Sequence, residues 1–263
     1  MNMSGELDPL YGVARQVLFD GLEALDVHRE AIVLVGAQAV YLHTGDIDLA
    51  VAPFTIDADV ALNPRIIEPL PLLEELMISS GFRHGSQPGI WLKTREVGDR
   101  SIDVTLDLLV PDSLGGEGRR GARLTSHGSN VARKARGLEA TLVDNVLLEI
   151  SSFESRDVRS YHVRVAGPSA LLVAKLHKLG ERENTPGRLK AKDALDVFRL
   201  LRGVSTQDFV DGFGKLRADD LSTTVTSEAI QYLGRLFGRA DAVGSRLVAE
   251  AAGSDPGDRA END

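Results

Sequence analysis

The chain has 263 residues, 43% hydrophobic and 26% charged, which suits one large soluble globular unit or two modest ones. It has no cysteine, which excludes disulfides, thiolate metal sites and cysteine catalysis. Its formal net charge of −9 makes it a poor non-specific binder of nucleic acid, so a polyanionic partner has to be met by a local basic patch.

Taken in chain order, MNMSGELDPLYG lacks the basic and apolar regions of a signal peptide. No apolar run approaches the ~18 residues of a membrane span, so a soluble, cytoplasmic protein is expected. Residues 8–26 place Leu10, Val13, Val17, Leu18, Leu22 and Leu25 on one broad helical face. Ala31–Val35 reads as a buried strand, Gly36-Ala37 as the turn that ends it, and Gln38–His43 as a short helix. Asp46–Pro53 is loop-like, and Thr55–Leu62 alternates as a strand. Leu72–Ser80 reads as a helix ending at Gly81. Ile90–Arg95 and Ser101–Val110 read as strands around a Gly98-Asp99 turn, and Gly115–Gly121 as a glycine-rich basic loop. Val146–Ile150 and Val158–Val165 are further strands. Gly167-Pro168-Ser169 starts a helix to about Arg182, residues 183–188 form a polar turn, and a helix over 189–202 presents Ala194, Val197, Phe198 and Leu201. Everything after Thr206 reads helical, including a long segment over 226–251, before a polar tail with the composition of disorder. The expected organisation is α+β: an α/β unit over 1–166, a helical unit over 167–252 and a tail over 253–263.

Chemistry concentrates on two strands. Side chains of a strand alternate faces, so Asp57 and Asp59 point the same way and repel unless a cation sits between them or one is protonated. A hard divalent ion prefers carboxylate oxygens. In the strand 101–110, Asp103 and Asp107 share a face; Asp107 lies in the more apolar surroundings and is the favoured third ligand, with Asp103 as its substitute. Farther on, Arg119, Arg120, Arg123, Arg133, Lys134 and Arg136 fall in a stretch without acids that also holds His127. That stretch is the candidate for an acceptor or phosphate tail. No two histidines lie at metal-ligand spacing, and His127 alone is of interest.

The order of motifs resembles a known family. A small-residue turn, a short helix, Thr55-x-Asp57-x-Asp59 and a later strand Asp look like the DNA polymerase beta nucleotidyltransferase superfamily. Leu171–Leu179 around Lys175, and Lys192-Asp193-Ala194-Leu195-Asp196-Val197, resemble the lysine helix and Asp-x-x-Asp helix of AbiEii/MenT-type nucleotidyltransferase toxins. The resemblance spans about residues 30–202 and departs at the turn, where Gln38 stands in place of a serine. It implies a mixed sheet flanked by helices and followed by a helical C-terminal unit. It implies two Mg²⁺ ions on Asp57, Asp59 and Asp107, one activating the attacking hydroxyl and one on the triphosphate. It implies a nucleotide (NTP) site built from Gly36, Ala37, Gln38, Thr55, Lys175 and Asp196, and a catalytic part for Lys175 and Asp193. Helical spacing equally lets Lys192 and Arg199 pair with Asp196 at the surface. The implied activity is transfer of NMP to an acceptor hydroxyl, the tRNA 3′ end, by a toxin with an antitoxin partner. A small-molecule or protein acceptor, and a nucleotide binder without turnover, are the alternatives.

Overall fold

The first helix, α1 (Pro9–Ala24), buries Val13, Val17, Leu18 and Leu22, as its helical spacing requires. A 3₁₀ turn (Asp26–Ala31) leads into β1 (Ile32–Val35), which is buried on both faces. The chain continues through α2 (Gly36–Thr44), β2 (Asp57–Leu62), α3 (Leu73–Ser79), β3 (Arg83–His84), β4 (Ile90–Val97) and β5 (Arg100–Pro111). After a long loop come β6 (Arg133–Ala135), α4 (Glu139–Val143), β7 (Asn145–Ser151) and β8 (Ser160–Ala166). The last third holds α5 (Pro168–Gly180), α6 (Ala191–Gly203), α7 (Thr206–Ala218), α8 (Thr223–Phe237) and α9 (Val243–Gly253). This computed structural model describes residues 9–45, 55–153, 157–183, 185 and 191–253; the expected loop over 46–53, most of the expected turn over 183–188 and the tail lie outside the described residues.

The eight strands form one mixed sheet in the order β3-β4-β5-β2-β1-β8-β7, with β6 added beside β5. β1 pairs antiparallel with β2 and parallel with β8, while β2 pairs parallel with β5. The fold is therefore α+β, a mixed sheet with flanking helices and a run of C-terminal helices. α1 packs on β2, β4 and β5, whereas α5 and α6 pack on α2. One apolar cluster takes in Val35, Val40, Leu172 and Val197, so burial runs unbroken across position 166. Among the described residues no helix is long and apolar enough to cross a membrane.

Two expectations change. The long helical segment over 226–251 is two helices, because α8 ends at Gly238, whose N–H is tied to Gly234 O, and the chain turns before α9. In α6 the inward face is not that of Phe198 and Leu201. Asp193, Asp196 and Leu200 are buried beside Ala194 and Val197, and Leu201 is exposed. The helix turns its carboxylates inward because a buried lysine on α5 needs them there.

Candidate active site

The turn from β1 into α2 sets the floor of the site. Gly36 has φ +72°, a conformation that favours glycine, and a Cβ there would lie 2.0 Å from Asp59 Oδ2. The N-terminus of α2 thus sits directly against a carboxylate. Val35 is the register partner of Asp59 on one side, and Asp107 is its partner on the other. Register neighbours in a sheet are roughly 4.8 Å apart with side chains on the same face. Asp57, two residues earlier and opposite Thr105, shares that face. Sequence spacing alone could show the two faces; only the β2–β5 pairing shows that they are the same one.

Gln38 and Thr55 support this strand from behind. Arg15 Nε donates to Gln38 Oε1 (2.9 Å), and Gln38 Nε2 donates to Asp57 O (3.2 Å). The Asp57 N–H donates to Thr55 Oγ1 (3.2 Å). Both side chains are buried and bonded to the backbone of the strand that carries Asp57. Ala37 is buried in the first turn of α2.

The carboxylates carry strong mutual repulsion. Burial, then Asp59, then Asp57 push the Asp107 carboxyl up to about 7, against the pull of Arg133. Arg133 Nη2 donates to Asp107 Oδ2, while Asp107 Oδ1 is buried without a hydrogen bond among the described residues. Lys192 Nζ stands 3.3 Å from Asp57 Oδ2. Asp103, the substitute third ligand, is elsewhere: it is exposed, accepts from Arg83 and Thr94 Oγ1, and lies four residues up β5 from Asp107.

Lys175, on α5, is buried between Asp193 (3.2 Å) and Asp196 (2.5 Å) of α6. Burial alone would lower its pKa, but Asp196 and Asp193 outweigh it and hold the ammonium above the usual lysine range, with Asp59 adding to the effect. Burial would likewise raise Asp193, yet Lys175, Lys178 and Arg182 hold it below the usual carboxylate range. Asp193 meets Lys178 at 2.9 Å and Arg182 at 3.4 Å. Asp196 is not at the surface, as the expected pairing had it: it is buried, and it accepts from Lys175 Nζ.

A cavity of about 470 Å³ opens beside these groups. Gly36 and Asp59 line it, together with Arg119, Arg120, Arg133, Lys134, Arg136, Lys175, Lys178 and Arg182; among the described residues Asp59 and Glu181 are the acids that line it. Of the expected basic segment, Arg123 is the exception: it lines a separate cleft with Arg65 and His127. His127 is structural, accepting from Leu73 N (3.2 Å) and bonded to Glu68 O (2.9 Å), and burial lowers its pKa first. Sequence reasoning missed Lys178 and Arg182, which stand three and seven residues after Lys175, the first on α5 and the second in the turn that follows it. It also missed Glu139, a buried carboxylate that accepts from Ser113 N (3.0 Å) and Gly137 N (2.8 Å) and so pins both ends of the basic loop.

Among the described residues no three His, Asp or Glu side chains are gathered closely enough to hold a metal ion. Asp57, Asp59 and Asp107 share a face without closing into such a cluster, with Asp57 beside Lys192 and Asp107 beside Arg133. The donors fit a hard divalent ion: three carboxylates share a face, and Asp107 Oδ1 is a buried acceptor with no hydrogen-bond donor among the described residues.

No protein-family model matches the chain, and no curated protein matches it. Among solved structures it is similar to the antibiotic-resistance factor ANT(2'')-Ia, studied in solution, with 13% identity and a TM-score of 0.42 over 86% of this chain and 99% of that one. At those values the likeness carries no argument about activity.

Proposed function

We propose that the chain is a nucleotidyltransferase that moves NMP from an NTP to an acceptor hydroxyl. One observation carries this reading: Asp59 and Asp107 are register neighbours on one face, beside a glycine turn that opens a helix, at a cavity lined by eight basic side chains. The acceptor oxygen bonds to the α-phosphorus, the bond from that phosphorus to the bridging oxygen breaks, and pyrophosphate leaves with the electron pair. A carboxylate of the cluster takes the hydroxyl proton. Asp57, Asp59 and Asp107 would hold Mg²⁺, which when bound supplies Lewis-acid neutralisation of the phosphates. The cationic wall of Arg119, Arg120, Lys134, Lys178 and Arg182 holds and orients the triphosphate, since positioning and charge supply most of the effect in phosphoryl transfer. Lys175 is fixed by Asp193 and Asp196 and faces the same cavity beside Asp59.

The same wall bears on the acceptor. A polycationic small molecule would be repelled by it, whereas a phosphate-bearing acceptor is attracted. That supports RNA, with the tRNA 3′ end as the specific proposal; the toxin role and an antitoxin partner come from the motif resemblance alone. The protein is incubated with each labelled NTP, Mg²⁺ and total tRNA. Incorporation by the wild type, lost in Asp59→Asn, is the expected result, and equal incorporation by both rejects the assignment.

A second reading is nucleotide binding without turnover. It is favoured by the engagement of Asp107 and Asp57 by Arg133 and Lys192, which leaves the carboxylates ungathered. Uptake of NTP with no pyrophosphate released under any acceptor would select it.

A further inference from the structure

Arg133 stands between the two halves of the site. Its guanidinium is bonded to Asp107 Oδ2 on one side and lines the cationic cavity on the other. The pair is incompletely satisfied: among the described residues Arg133 Nε and Asp107 Oδ1 are both buried without hydrogen-bond partners. A permanent structural ion pair would use these atoms, because each buried orphan forfeits its hydration for nothing in return. Both find partners in one alternative arrangement, with a cation on Asp107 Oδ1 beside Asp59 and an anion on the Arg133 fork.

The backbone permits a change in the side chain alone. Arg133 is clamped between β5, where it is the partner of Leu109, and a bridge to Gly121. Gly89 closes on it so tightly that a Cβ there would come 2.5 Å from Arg133 N. What can move is the guanidinium, and what opposes its leaving Asp107 is the crowd of other cations in the cavity. A polyanion removes that opposition.

We propose that Arg133 is an exchangeable counter-ion: it neutralises Asp107 in the free protein, then releases it to a divalent cation as its guanidinium takes a phosphate oxygen of the nucleotide. The exchange rests on the nucleotidyl-transfer reading and makes metal and nucleotide bind cooperatively, each removing the obstacle to the other. Arg133 is thus a substrate-positioning residue and a brake on metal binding without nucleotide.

The test measures Mn²⁺ binding by electron paramagnetic resonance, without nucleotide and with non-hydrolysable α,β-methylene NTP analogues. In Arg133→Gln, Mn²⁺ alone binds about tenfold tighter, because the competing state is gone. The analogue with Mn²⁺ binds about tenfold weaker, because a charge-assisted phosphate contact is lost. Arg133→Lys, which keeps a cation on one nitrogen, covers the case in which the glutamine variant does not fold: both shifts keep their sign and shrink. Affinity for Mn²⁺ alone that is unchanged or weaker in the folded Arg133 variants overturns the exchange. If Asp107→Asn then abolishes Mn²⁺ binding, the metal-dependent reading survives that failure. If no variant and no wild type binds Mn²⁺, with or without analogue, both fall.

Discussion

Asp107 is where the physical demands on a single side chain are most opposed. Its carboxyl is buried, faces Asp59 and Asp57, and is pushed up to about 7 despite Arg133. The sign of the consequence follows from proton linkage. Between the ordinary carboxylate pKa and about 7, the folded protein binds more protons than the unfolded chain, so stability falls as pH rises through that window. Chelator-treated wild type is therefore expected to lose stability between about pH 4 and 7, on the order of a few kcal/mol. Asp107→Asn flattens that slope, and urea denaturation across the range measures it. An unaltered slope in the variant would assign the loss to other groups. Much of this was readable from residues alone: an Asp in apolar strand sequence needs a partner, and two Asp residues one apart must share a face. The choice of Arg133 as partner was not readable, since any of the six basic residues between 119 and 136 could have been folded against the strand.

At the scale of elements, the site is a junction of a turn, two parallel strands and two helices. The turn admits one residue type. Gly36→Ala puts a side chain at positive φ and drives it into Asp59, so a loss of roughly 2–4 kcal/mol is expected, with activity falling further than the folded fraction. The α5–α6 pair is held by buried charge: Lys175 on Asp193 and Asp196, with Lys178 and Arg182 closing on Asp193. Asp193→Asn removes one of the two carboxylates that balance the buried Lys175, leaving Asp196, and is expected to cost about 3 kcal/mol. Lys175→Met strands both Asp193 and Asp196, and a double-mutant cycle with Asp193→Asn reads the coupling of Lys175 to Asp193. Strands β2, β4, β5, β7 and β8 were visible in the sequence because alternation or apolar runs mark them. β3 and β6 were not, because two and three residues, Arg83–His84 and Arg133–Ala135, show no period and are strands only through their neighbours' ladders. The pairing of β2 with β5 was also out of reach, for about forty residues and two other strands separate them in the chain.

Over the whole molecule, a net charge of −9 coexists with a cavity in which eight basic side chains face two acids. The net charge opposes the approach of a polyanion, and the basic residues lining this opening favour it locally. If the acceptor is RNA, its affinity falls linearly with the logarithm of salt, and the slope counts the phosphates neutralised. Arg119 and Arg120 line the cavity, with Arg120 held to Gln87 at 2.9 Å, whereas Arg123 faces the separate cleft with His127. Arg119→Gln and Arg120→Gln are each expected to reduce the slope by about 0.7–0.9, the single-strand and duplex limits. Arg123→Gln should leave it unchanged, although the three arginines lie within five residues of one another in sequence. Titrating tRNA at several salt concentrations against the three variants decides the matter. Equal slopes for all three would mean that the acceptor follows the basic loop as a charged ribbon rather than entering the cavity. A silent Arg123 beside two active neighbours would mean that the fold, by turning one arginine away, has separated a binding surface from the run of charge in which the sequence conceals it.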